Sequence, residues 1–339
     1  MPFAFSLDHH AELRTRDEKP LTSRALVHSD STPLLGGHLC LALRTSHRVH
    51  AARLVLWDSA RRADISLRVP RLLRAVDHPY FDNDGLPLAF AHRGGGAPNG
   101  HKAAGLENSL AAFQAAVDLG YRYVETDVQA TRDGVLVAFH DATLARVTGT
   151  VGRIRDLEYD DLRQALIAGR EPIPTLDLVL ATWPQLRVNI DAKTATAVAP
   201  LAATIARHRA WDRVCVASFS PRHLREMRRL LGPRVATAYS AVGVAALRLL
   251  PAHRLRAQAL GRFAQAAQVP VRHGHLRIVT PTFIDSAHRL GKQVHVWTVD
   301  SADEIVRLLD MGVDAIMTDR IDVLRTTYQS RGIWREEGA

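Results

Sequence analysis

From Leu88 onward, apolar and polar positions alternate in a regular way. Short apolar runs at 88–91, 122–128, 187–191, 214–218, 235–239, 267–271, 294–299 and 314–318 predict strands, and the amphipathic stretches between them predict helices. Ser109 to Leu119 gathers Leu110, Phe113 and Val117 on one side. Pro221 opens another helix at a favourable first-turn position, and Gly232 with Pro233 stops it. Asp303 to Leu309 is a third, closed by Gly312. Eight parallel strands alternating with helices over roughly 250 residues predict a (β/α)8 barrel of the TIM type. Asp133-Gly134 marks a tight turn into an additional strand, Val135 to Phe139. This small extra β-hairpin is expected to place His140 over the barrel mouth.

Residues 1–76 show no sustained periodicity, only short apolar runs at Leu39–Leu43 and Leu54–Trp57. They read as a weakly ordered or peripheral extension, or as an over-extended reading frame. No methionine lies between Met1 and Met227, so a downstream start would need another codon. The expected organisation is therefore an extension at 1–76, a barrel at 77–328 and a tail at 329–339. No run of about 18 apolar residues predicts a membrane span. The N-terminus has no basic segment followed by an apolar core, so the expected location is cytoplasmic. Cys40 and Cys215 lie far apart without metal-ligand spacing, and no disulfide framework or thiol nucleophile is indicated. The formal charge of +9 is scattered, largely as arginine, with lysine only at 19, 102, 193 and 292. That distribution argues against a nucleic-acid partner and fits a solvated surface, with attraction for anionic substrates as a second reading.

The residues that carry chemistry fall at predicted strand ends, where a β/α barrel builds its active site. Glu125 and Asp127 are two apart in one strand and share a face, so their charges repel unless something positive sits between them. A solvated edge is the plain alternative, against which the neighbours Tyr123, Val124 and Val128 argue. Oxygen donors without cysteine favour Mg²⁺ or Ca²⁺ over zinc, and Asp191, ending the next strand, is a third oxygen on offer. His92 and His140 each end an apolar run and are followed at once by a charged residue, which sets them apart from the other histidines among 17. Imidazole can both accept and donate protons near neutral pH, as phosphodiester cleavage requires. Asp141 either orients His140 or caps the following turn. Arg93 and Lys193 would neutralise a phosphate, or pair with the carboxylates. Glu107 and Asn108 either cap a helix or hold Arg93 or a histidine. Trp297 either packs on a glycerol or belongs to the core. Gly94, Gly95 and Gly96 permit backbone close to a ligand, or form an ordinary loop.

Together these residues resemble the glycerophosphodiester phosphodiesterase family, over about Leu88 to Leu324. The resemblance rests on His92-Arg93-Gly94, Glu107-Asn108, Glu125-x-Asp127, the Thr131–Gly134 turn and His140-Asp141. It continues through Ile173–Leu176, Asp191-x-Lys193, Trp297–Val299 and Gly312–Asp314 leading to Thr318-Asp319. It implies a β/α barrel that hydrolyses glycerophosphodiesters to glycerol 3-phosphate and an alcohol. His92 and His140 would be the acid–base pair, and Glu125, Asp127 and Asp191 would hold the cation. Asp191 stands where the family usually has glutamate; Leu106 and Ser109 replace a frequent proline and threonine. Competing readings are a lysophospholipase D or sphingomyelinase-D-like enzyme acting on an acylated substrate, and a barrel that binds phosphorylated ligands without turnover. Val242 to Leu250 is the one modest apolar candidate for a lipid-facing segment, though barrel packing explains it more simply. Head group and oligomeric state are not encoded in these motifs.

Overall fold

The computed structural model describes residues 78–95, 105–261 and 264–335. Eight strands run parallel in chain order: β1 (Leu88–Ala91), β2 (Tyr123–Ala130), β3 (Arg187–Ala192), β4 (Val214–Ala217), β5 (Ala236–Thr237), β6 (Ala266–Pro270), β7 (Gln293–Trp297) and β8 (Ala315–Thr318). β8 pairs back onto β1, with Leu88 opposite Ala315 and Ala91 opposite Thr318. Between β5 and β6 the ring is joined by one parallel bridge, Ala238 to Ala266, where the Gln265 N–H donates to the Thr237 carbonyl at 2.8 Å and the Tyr239 N–H to the Ala266 carbonyl at 2.9 Å. The architecture is the (β/α)8 barrel that the periodicity predicts.

Alternation along each strand sorts side chains between two cores. Val124, Val128, Val188, Ile190, Val214, Val216, Val294, Val296 and Ile316 face outward, into the layer shared with the helices. Phe90, Tyr123, Cys215, Ala236, Ala266, Ala315 and Met317 face inward and fill the lower barrel. That parity puts His92, Glu125, Asp127, Asp191 and Trp297 on the inward side at the upper end. Between the two levels lies a polar layer in which Gln268 Nε2 donates to Asn189 Oδ1 at 2.7 Å, with His295 buried beside it. Cys215 belongs to the lower core, where burial pushes its thiol well above the usual range, so it is no nucleophile.

The floor of the barrel is closed by the segment before β1. A short turn of helix at Pro79–Phe81, capped by the His78 side chain, inserts Tyr80 and Phe81 beneath Phe90, Tyr123 and Met317. Tyr80 meets Tyr123 edge-on at 5.6 Å between ring centroids, and the Tyr123 hydroxyl donates to the Tyr80 carbonyl at 2.8 Å. At the other end, the last helix runs Ile321–Ser330, and Trp334 packs on Tyr121 at 5.0 Å, so barrel packing extends past residue 328. The expectations for residues 1–76, and for Cys40 and Gly96, lie outside the described residues.

The extra hairpin forms as expected. Leu136–Ala138 runs antiparallel to β2, with Val128 opposite Ala138 and Ala130 opposite Leu136. Its turn is closed by Thr131, whose hydroxyl meets Asp133 Oδ1 at 2.5 Å and whose N–H donates to the Val135 carbonyl at 3.0 Å. Gly134 supplies the positive φ, 85°. Beyond it lies an insertion that the periodicity does not reveal. Phe139, Leu144, Ile154, Leu162, Ile167 and Ile173 bury one another in a satellite core under short helical turns before β3.

Candidate active site

The ends of β1, β2, β3 and β8 bring the predicted residues together. The chain leaves β1 through a kinked turn in which Arg93 is left-handed (φ 51°, ψ 31°) and Gly94 follows at φ 81°. A Cβ at Gly94 would lie 2.8 Å from Ala112 Cβ and 2.9 Å from its backbone carbonyl carbon, so the glycine permits close packing on the helix Leu110–Asp118. This tight seat sets the direction of both neighbours. His92 Nδ1 lies 2.7 Å from Asp319 Oδ1, and its Nε2 lies 3.7 Å from Glu125 Oε2. The Arg93 N–H donates to Glu125 Oε2 at 3.1 Å, while the guanidinium reaches Glu107 Oε1 and Asp127 Oδ2, each at 3.0 Å.

Asp127 sits opposite Asp191 across the β2–β3 pairing. Lys193 Nζ bridges them, 2.7 Å from Asp127 Oδ1 and 2.7 Å from Asp191 Oδ2. Asn108, left-handed at φ 61°, donates from its side chain to Asp127 Oδ2 at 3.2 Å and accepts from the Thr126 hydroxyl at 2.8 Å. The helix cap is Ser109, whose hydroxyl accepts from the Ala112 N–H at 3.1 Å. Glu107 and Asn108 therefore hold Arg93 and Asp127, and the plain capping reading of that pair is excluded.

His140 leaves the extra strand at the mouth, its Nδ1 2.6 Å from Asp141 Oδ1. The buried Gln129 side chain donates to the carbonyls of Phe139 (3.4 Å), His140 (3.1 Å) and Asp141, which pins the turn carrying the imidazole. An ionised carboxylate only accepts hydrogen bonds. Asp319 and Asp141 thus place a proton on each Nδ1 and leave each Nε2 as the working atom.

The electrostatics follow from burial and crowding. Burial raises the Glu125 carboxyl above the usual range, and the Asp127 charge adds to it. Asp127 is equally buried, but Lys193 and then Arg93 outweigh that cost and hold it low. Burial would lower His92; Glu125 and Asp319 outweigh it, so its pKa is raised. For His140 burial prevails over the attraction of Asp127, and its pKa is lowered. Burial opposes ionisation of Glu107, yet Arg146 and Arg93 hold it below its usual value.

Several contributing roles escape a motif-by-motif reading. Asp319 stands in the Thr318-Asp319 motif, but its bond to His92 does not show there; it is fixed in turn by Asp300 Oδ1, which accepts from the Asp319 N–H at 2.9 Å. Arg146, from the insertion, donates to Glu107 at 2.8 and 2.6 Å and to Asp141, so it ties the Arg93 side of the site to the His140 side. Phe219, just past β4, is 51% exposed. It meets Trp297 edge-on at 6.1 Å and lies 6.0 Å from Lys193 Nζ. Trp297 is half-buried at the rim and packs on the inward core.

A family model for the glycerophosphoryl diester phosphodiesterase family matches residues 92–323. The chain belongs to that family. As a member it is a phosphoric diester hydrolase. A probable glycerophosphodiester phosphodiesterase 2 of Mycobacterium tuberculosis is 45% identical over 231 residues, covering 67% of this chain and 87% of the relative. A glycerophosphodiester phosphodiesterase of Caldanaerobacter subterraneus is 29% identical over 242 residues, 67% of this chain and 93% of the relative. Among solved structures, an Oleispira antarctica phosphodiesterase in complex with the product sn-glycerol-3-phosphate superposes with a TM-score of 0.61 at 23% identity, covering 72% of this chain and 97% of the other. The last of these shows the shared barrel fold.

The donor set fits a hard cation in its chemistry. Glu125, Asp127 and Asp191 are buried oxygen donors on one inward face, and Asp191 Oδ1 is buried with no hydrogen-bond partner among the described residues. As they stand, no three His, Cys, Asp or Glu side chains among the described residues form a ready ligand cluster, because Lys193 spans Asp127 and Asp191.

Asp319→Asn keeps the shape but no longer fixes the Nδ1 proton of His92. The expected result is a kcat lower by about tenfold to a hundredfold with KM little changed. Steady-state kinetics check it, and an unaltered kcat would remove Asp319 from any orienting role.

Proposed function

We propose that this barrel hydrolyses glycerophosphodiesters to sn-glycerol 3-phosphate and an alcohol, with a divalent cation and with His92 and His140 as the acid–base pair. The observation that carries this reading is the pairing of each imidazole with its own carboxylate, beside a buried cluster rich in both carboxylates and cations. Arg93 and Lys193 supply the positive charge for a phosphate, Arg93 through a planar fork and Lys193 as a point charge. One histidine takes a proton at Nε2 from the attacking oxygen, which is water or the neighbouring glycerol hydroxyl. The other gives a proton at Nε2 to the leaving alcohol. Attack by the hydroxyl passes through a cyclic phosphate, and trapping that species separates the two routes. Trp297 and Phe219 form an apolar wall beside Lys193, suited to the carbon face of a glycerol.

Glu125, Asp127 and Asp191 would hold Mg²⁺ or Ca²⁺, which supplies charge stabilisation at the phosphate oxygens. Asp191 contributes its unpartnered oxygen, on a side chain one methylene shorter than glutamate. The test is glycerol 3-phosphate release from glycerophosphocholine in Mg²⁺, Ca²⁺ or chelator. Release is expected to collapse in chelator, and Asp191→Ala should raise the cation concentration needed for half-maximal rate by about tenfold or more. A rate indifferent to chelator, or an unchanged cation requirement in the variant, would contradict the assignment.

A further inference from the structure

Three consecutive loops at the mouth, after β4, β5 and β6, share a character that the proposed chemistry does not use. Each exposes one large apolar side chain. Phe219 follows β4, Val242 (64% exposed) lies in the first turn of the helix after β5, and Leu276 (48% exposed) lies after β6. The loop after β6 is itself a small finger. Arg272–His273 and Leu276–Arg277 pair antiparallel about a turn at Gly274, with Arg272 directly opposite Arg277 and His273 opposite Leu276. All six residues 272–277 are exposed.

Like charges directly opposite on a hairpin repel. Among the described residues neither arginine has an ion-pair partner. Glu304, close enough to feel both, holds Arg307 through both carboxylate oxygens, at 2.7 and 2.5 Å. The finger therefore carries a net positive charge, only partly offset by Glu304, beside an exposed leucine on a chain of net charge +9. Parallel strands place these loops on the face that holds His92 and Trp297, and Phe219 joins them to the site through its contacts with Trp297 and Lys193.

We propose that this sector of the mouth docks on an anionic lipid surface, resting on the phosphodiesterase reading above and adding where that site meets its substrate. Arginines at the base of the finger would lie at the level of the anionic head groups, and Leu276, nearer its tip, and Val242 would enter the boundary below them. The mouth would then face the layer, so that an acylated glycerophosphodiester held in it reaches the site head group first. A nucleic acid would use the arginines and could stack on His273 or His275, but would not use three separate aliphatic and aromatic side chains spread over three loops.

The test is co-sedimentation of the full chain with vesicles of phosphatidylcholine alone, or of phosphatidylcholine with 30% phosphatidylglycerol, at low and high salt. Binding is expected only to the anionic vesicles and is expected to weaken with salt. The double variant R272E/R277E should reduce it by about tenfold or more, and L276S several-fold. Hydrolysis of soluble glycerophosphocholine should be unchanged in both variants, which separates this inference from the reaction itself. Absent vesicle binding overturns the proposal. So does binding that survives R272E/R277E, which would assign it to another part of the chain. So does a finger-dependent shift of a DNA duplex without vesicle binding.

Discussion

His92→Ala and His140→Ala should each lower turnover of glycerophosphocholine by about 10²–10⁴-fold, the range typical of a positioned proton donor or acceptor. The two imidazoles sit on separate elements, one at the end of β1 and one beyond the extra strand. Each has its Nδ1 committed to its own carboxylate, at 2.7 and 2.6 Å. Neither can take over the other's position, so the single losses should be comparable. The double variant should lose little more than either single one, because the two act in one proton-transfer sequence. Steady-state release of glycerol 3-phosphate reads all three. Near-wild-type turnover in either single variant would contradict the paired assignment.

A second large effect is expected far from the chemistry. Tyr80→Ala should cost about 3–5 kcal/mol, since it opens a cavity under a core already closed by Phe90 and Tyr123. Tyr80 is 0% exposed. For a domain of this size that cost lowers the melting temperature by on the order of 10 °C. Tyr80→Phe has the opposite expectation. The hydroxyl is buried with no hydrogen-bond partner among the described residues, so deleting it should leave stability unchanged or slightly higher. Denaturant or thermal melts of the two variants separate floor packing from hydroxyl chemistry. Equal destabilisation by both would contradict an unpartnered hydroxyl.

The strands were legible because a parallel barrel buries both faces of each one, which leaves short apolar runs with clear ends. β5 is the exception: the run 235–239 gives a two-residue strand, because Ala238 forms only a bridge to Ala266 before the chain turns into its helix. Glu125 and Asp127 were legible through the two-residue period, and His92 and His140 through their places at strand ends. What the sequence could not display are contacts made by closure. Asp319 meets His92 across 227 positions because β8 lies beside β1. Arg146 joins Glu107 to Asp141 only once the insertion has folded over the hairpin. Proximity to a helix start suggested capping for Glu107 and Asn108, yet the left-handed turn at Asn108 sends that side chain to Asp127 and leaves the cap to Ser109. The finger at 272–277 is invisible to periodicity because both of its strands are two residues long and fully exposed.

The proposed reaction cleaves the phosphodiester on the alcohol side and leaves phosphate on glycerol. Phosphorus-31 NMR of glycerophosphocholine with the full chain and Mg²⁺ or Ca²⁺ tests it most directly. The substrate resonance is expected to be replaced by that of glycerol 3-phosphate, with free choline released in step and no change when His92→Ala replaces the wild type. Phosphocholine as the product, or an unaltered substrate resonance with either cation, would contradict it.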